Sequence, residues 1–190
     1  MTDTFIDFIT EARISQKAEI KRYTDLSRPL SRILYDHHKA GTIPPENFDG
    51  HSLSALDAIT KKSKLSKNTE VHTGVRHDPS TLTDEHGHLH LAAYTSTSDD
   101  YDQAHKFAVK QARRNDDAVN GTKKIGHVIS ISLKKGQHAV SIQSKSTYKD
   151  EQERLLPRNT KLKIHPTPTI STDSDGREIH NWTAHVVSQE

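Results

Sequence analysis

The 190-residue sequence has no cysteine, one Trp, one Met and no basic-then-apolar stretch after Met1. Without thiols there is no disulfide framework and no thiolate zinc site, which accords with a reducing compartment. The opening Met1-Thr2-Asp3-Thr4 does not read as a secretory signal. No run approaches the ~20 apolar residues of a membrane span. Hydrophobic residues make up only 31% and aromatics 5%, so the expected core is thin and the surface polar. A net charge of +2 is too small to argue by itself for a nucleic-acid binder. What remains is a polar, soluble chain of a length that suits a single domain over residues 1–190.

Phe5, Phe8, Ile9 and Ala12 recur at helical spacing, which predicts an amphipathic helix from about Asp3 to Tyr23. Ser27 as N-cap and Pro29 in the first turn open a second helix through Leu30, Ile33 and Leu34 to about Lys39. Gly41 stops it, Thr42 to Gly50 reads as a loop, and Ser52 to Lys62 reads as a third helix presenting Leu53, Leu56 and Ile59. From Glu70 onward strands dominate: Val71 to Val75, Leu89 to Thr95, His127 to Leu133, Ala139 to Ile142, Lys161 to Ile164 and Trp182 to Val187. One helix interrupts them, Asp99 to about Arg114, apolar through Tyr101, Ala104, Ala108 and Ala112, with Ser98 placed to cap it. Helices first and strands after predict an α+β fold, helical over residues 1–68 and a mostly antiparallel β core over 69–187.

The chemistry centres on Glu151-Gln152-Glu153. In an extended segment, side chains at i and i+2 leave one face roughly 7 Å apart. Two carboxylates so placed can serve a sugar carbon, one stabilising positive charge on a ribose ring and the other taking an acceptor's proton. Glu-x-Glu alone is weak, since any charged chain contains it by chance. Its company strengthens it: Ala93-Tyr94-Thr95-Ser96-Thr97-Ser98 upstream, and before that Glu70-Val71-His72-Thr73-Gly74-Val75-Arg76. Two other clusters have plainer readings. Lys61, Lys62, Lys64 and Lys67 could touch phosphates or simply form a solvated helix end. His86-Gly87-His88-Leu89-His90 puts His88 and His90 on one strand face, as in a metal site, but an exposed hairpin edge is the simpler reading.

An aromatic-x-Ser-Thr-Ser strand followed by Glu-x-Glu running into Leu-Leu-Pro resembles the R-S-E class of mono-ADP-ribosyltransferases, most of all those of T-even-type bacteriophages. The resemblance spans roughly Thr69 to Val187. It implies a split two-sheet core, NAD as substrate and no metal. By resemblance Glu153 stabilises the sugar cation and holds a ribose hydroxyl, Ser96 fixes its rotamer, and Glu151 faces the acceptor with Tyr148 in the recognition loop. A glutamate at the first position accompanies arginine acceptors, and a guanidinium, protonated near neutral pH, needs such a carboxylate to become a nucleophile. The family's aromatic-Arg-Gly is here His72-Thr73-Gly74, with threonine in the arginine's place. Arg76, two residues past Gly74, is the candidate for the diphosphate, and Gly74 for close approach of backbone to the nicotinamide amide. The expected activity is ADP-ribosylation of arginine on host proteins in the bacterial cytoplasm, by a protein made there or carried in a virion. Three alternatives stand beside it: a transferase joining NAD-capped RNA to protein arginine, an NAD glycohydrolase, and a non-catalytic phage module that keeps the fold.

Overall fold

The computed structural model describes residues 18–24, 30–48, 51–116, 121–143 and 152–189. Residues 18–24 and 30–40 are helical, and they bury Ile20, Tyr23, Leu30 and Leu34. These pack with Leu53, Leu56 and Ile59 of the helix Leu53–Lys62. That helix starts where expected, because the Ser52 hydroxyl accepts from the Ala55 N–H at 3.3 Å. Among the described residues no helix is long and apolar enough to cross a membrane.

A short hairpin joins β1 (Asn47–Phe48) and β2 (His51–Ser52). The main sheet has nine strands: β3 (Thr69–Val75), β4 (His88–Leu91), β5 (Thr95–Ser98), β6 (Gly126–Leu133), β7 (Val140–Ser141), β8 (Glu153–Leu156), β9 (Thr160–Ile164), β10 (Thr169–Thr172) and β11 (Glu178–Gln189). Their spatial order is β4-β9-β11-β6-β3-β5-β8-β7, with β10 alongside β11. Among the described residues all ladders are antiparallel except β6 with β11. Leu89 and Leu91 of β4 share one core with Ile129 and Ile131 of β6 and Leu156 of β8. Strands so distant in the order can meet only if the sheet curls, so the expected two-sheet core is built as one ladder bent upon itself.

Three expectations change. The stretch Thr42 to Gly50, read as a loop, contains β1, which pairs with β2. The single strand read from Leu89 to Thr95 is two strands: β4 pairs with β9, whereas β5 pairs with β3 and β8. Ala92, Ala93 and Tyr94 between them are fully buried, so their apolar character hid the break. The cap of the helix Tyr101–Arg113 is Asp100, whose carboxylate accepts from the Asp102 N–H at 2.9 Å. Ser98 is still a ladder residue opposite Glu153, and the Asp99 N–H bonds the Gln152 carbonyl at 3.2 Å. The chain therefore stays in sheet pairing one residue longer than the spacing indicates.

Candidate active site

The β5–β8 ladder sets Thr95 opposite Leu156, Ser96 opposite Leu155, Thr97 opposite Arg154 and Ser98 opposite Glu153. His72 of β3 stands across from Ser98 on its other side. His72, Ser98 and Glu153 thus form a row over three adjacent strands. Alternation puts Ser96 on the same face as Ser98 and Glu153, with Ser96 and Glu153 in a diagonal relation about 7–8 Å apart. Thr97 faces the other way and ties the strands together, its hydroxyl donating to the Arg154 carbonyl at 3.0 Å. Gln152, just before β8, has φ of 44°, a left-handed conformation that a non-glycine residue rarely adopts outside turns and functional sites. Glu151 and Tyr148 lie outside the described residues.

Glu153 is 8% exposed. The face it occupies is closed in part by Tyr23, whose phenol donates to the Tyr94 carbonyl at 3.1 Å. Burial, with Glu153's charge adding to it, raises the Tyr23 phenol's pKa, and a hydrogen bond with the Ser96 side chain only partly offsets this. Tyr23 therefore stays a protonated donor beside the serine and the carboxylate. The sequence reading missed it, since an aromatic near the end of an amphipathic helix looks like any core residue. Tyr94, the aromatic of the Ser-Thr-Ser motif, is itself anchored. Its hydroxyl reaches Asp57 Oδ1 at 2.7 Å and the Leu53 carbonyl at 3.1 Å. Arg158, just beyond β8, grips Asp57 at two points, 3.0 and 2.8 Å. Burial opposes the Asp57 charge, but Arg158 and Tyr94 outweigh it and hold the carboxyl below its usual range. The network clamps the helix Leu53–Lys62 to the start of β5 and the end of β8.

The cofactor candidates fall elsewhere. The Thr73 hydroxyl donates to the Ser96 carbonyl at 3.1 Å, so this position touches the Ser-Thr-Ser strand directly. Arg76 is exposed and donates to Asn115 Oδ1 at 2.9 Å. Thr73, Arg76, Val75 and Thr95 line a cavity of about 370 Å³; Thr95 is on the opposite pleat of β5 from Ser96. Gly74 has a reason of its own to be glycine: a Cβ there would lie 2.4 Å from the Ala104 carbonyl oxygen and 2.6 Å from the Ala108 nitrogen. Its missing side chain admits the helix Tyr101–Arg113. His88 lies 3.3 Å from Asp84, while His90 bonds His38 at 2.8 Å. The three histidines of the His-x-His-x-His stretch therefore do not converge, and no group of three or more metal-ligating side chains gathers among the described residues. Lys61, Lys62, Lys64 and Lys67 are all exposed.

A family model described as ADP-ribosyltransferase exoenzyme matches residues 7–187. The chain belongs to that family. This ADP-ribosyltransferase is also similar in fold to solved structures. With Plx2a, an ADP-ribosyltransferase toxin from Paenibacillus larvae, it shares 21% identity over 92% of this chain and 86% of that one, at a TM-score of 0.65. With C3stau2 from S. aureus, solved with NAD, the identity is 19% over 95% and 91%, at 0.60. With the C3larvin toxin of Paenibacillus larvae it is 23% over 92% and 88%, at 0.58. A comparison with curated protein sequences finds no match. Family membership makes NAD the substrate and ADP-ribosyl transfer the reaction.

Proposed function

We propose that this ADP-ribosyltransferase is of the R-S-E type found in T-even-like bacteriophages and modifies arginine side chains of host proteins. The observation that supports this most is the buried Glu153 carboxylate directly across from Ser98, on one face with Ser96 and beside the Tyr23 phenol. Cleavage of the bond between ribose C1 and the nicotinamide nitrogen sends the bonding electrons out with nicotinamide and leaves a cationic sugar. Glu153 supplies negative charge beside that cation, and the Ser96 and Tyr23 hydroxyls limit the directions it can take. The acceptor guanidinium then forms the new bond to C1 while Glu151 accepts its proton. Tyr148 recognises the acceptor. Arg76 holds the diphosphate in place of the arginine that Thr73 replaces, and Gly74 lets backbone come close to the nicotinamide amide.

Replacing Glu153 by Gln tests the core of the reading. Release of nicotinamide from NAD should slow by the equivalent of about 2–4 kcal/mol of transition-state stabilisation. An unchanged rate would end the assignment. The acceptor is tested separately by mass spectrometry of a bacterial lysate incubated with the protein and NAD, where ADP-ribose should be found on arginine. Its appearance on another residue type would overturn that part alone.

A further inference from the structure

The far end of the helix Tyr101–Arg113 borders a second cavity, of about 540 Å³, lined by Arg76, His77, Asp78, Lys123, Lys124 and His127 among others. Three of these six side chains are cationic and two are histidines, in a chain whose net charge, with histidines neutral, is only +2. His127, at the start of β6, is 6% exposed. Its Nδ1 accepts the indole N–H of Trp182 at 3.4 Å. An indole nitrogen can only donate, so Nδ1 bears no proton and the neutral ring carries its hydrogen on Nε2. Burial lowers the His127 pKa against the pull of Asp78, and His180 and His77 lower it further. The ring thus offers one fixed N–H donor at the cavity wall.

The charges around that donor are unevenly committed. Lys123 gives its ammonium to the Asp175 carbonyl, and Arg76 uses one guanidinium nitrogen on Asn115. Among the described residues, no hydrogen bond or ion pair engages the Lys124 ammonium or the His77 ring. The one acid, Asp78, has Oδ1 bound by the Ser80 N–H and hydroxyl at 2.9 and 2.7 Å. With Arg76 given to the diphosphate of NAD, the Lys124 ammonium and the His127 imidazole N–H are the donors on this cavity's wall that suit a phosphate oxyanion. The remaining oxygen of Asp78 can accept from a hydroxyl carried on the same ligand. The volume is that of a small-molecule site.

The Ser98–Glu153 pair lies at the other end of the same helix. Ala112, on the cavity wall, is twelve residues from the capping Asp100, about 18 Å along the axis. We propose that this cavity binds a phosphate ester, a nucleotide or sugar phosphate, at a place separate from the reacting ribose. The inference does not depend on which acceptor the enzyme modifies.

Nuclear magnetic resonance of the histidine rings in the full-length protein tests it. The His127 Nε2 signal is assigned by its loss in His127→Gln and followed during titration with inorganic phosphate, AMP or ribose 5-phosphate at constant ionic strength. A saturable displacement is expected, weakened about tenfold or more in Lys124→Ala and preserved in Glu153→Gln. AMP binding more tightly than ribose 5-phosphate assigns the site to nucleotides; equal binding of the two assigns it to sugar phosphates. A displacement that chloride reproduces, that never saturates, or that Lys124→Ala leaves unchanged overturns the proposal. Loss of the displacement in Glu153→Gln would do so as well, by placing the ligand at the reacting centre.

Discussion

The Thr73 hydroxyl donates to the Ser96 carbonyl at 3.1 Å, which joins β3 to the motif strand at the position where the resembling enzymes carry arginine. The bond holds β5 from the side opposite β8, so it bears on how firmly Ser96 is placed. Thr73→Val keeps the shape and removes the donor. Urea unfolding should show a loss of about 0.5–1.5 kcal/mol. A variant as stable as the parent would mean that water replaces the hydroxyl without penalty.

Glu151→Gln separates the two halves of the proposed chemistry. Proton removal from the acceptor should fail while bond cleavage at ribose survives. Arginine modification is expected to fall by a factor of about 10²–10⁴, with nicotinamide release in water largely retained. Equal loss of both rates would instead give Glu151 a part in cleavage.

The Tyr94–Asp57–Arg158 network carries both a stability and a pH prediction. Tyr94→Phe should lose about 0.5–1.5 kcal/mol, and Arg158→Met about 1–3 kcal/mol because it strips Asp57 of its charged partner. Asp57→Asn and Arg158→Met combined should cost less than the sum of the two, since they remove the same contact. The Asp57 carboxyl ionises below its usual range in the folded protein. Its stabilisation is therefore complete above the unfolded value of ~3.9 and is lost as pH falls through the lower folded value. Comparing parent and Asp57→Asn in urea at neutral and acid pH should show the gap between them closing only at the acid end.

Gly74→Ala asks whether the helix Tyr101–Arg113 can move away from β3. The added methyl would meet backbone, at 2.4 and 2.6 Å, and backbone cannot swing aside as a side chain can. A loss of about 1–3 kcal/mol by denaturant titration is expected. Stability equal to the parent would show that the helix shifts freely.

Much of this was legible along the chain because the signals were local. Alternation in Ile129, Ile131 and Leu133 found β6, and the spacing of Leu53, Leu56 and Ile59 found the helix that ends at Lys62. The Ser-Thr-Ser strand and the Glu-x-Glu segment also lie side by side, since Ser98 and Glu153, written 55 positions apart, are ladder partners. What could not be read depended on distant company. The break at Ala92–Tyr94 follows from Tyr94 reaching Asp57 on a helix that precedes it. That Gly74 also has a packing reason to be glycine shows only with the helix that fills its space. Tyr23 gains its meaning from two residues, Ser96 and Glu153, that no nearby pattern connects to it.

β11 lies between β9 and β6, and its pairing with β6 is the one parallel ladder among the described residues. A nascent polypeptide lacking residues 178–189 would hold two groups of strands with nothing between them. Closure of the sheet must therefore wait until residues 178–189 have been synthesised, and a pairing so distant in sequence is slow to form. The strands β3, β5 and β8, already paired with one another, would then gain the support of β9 and β4 in one late event.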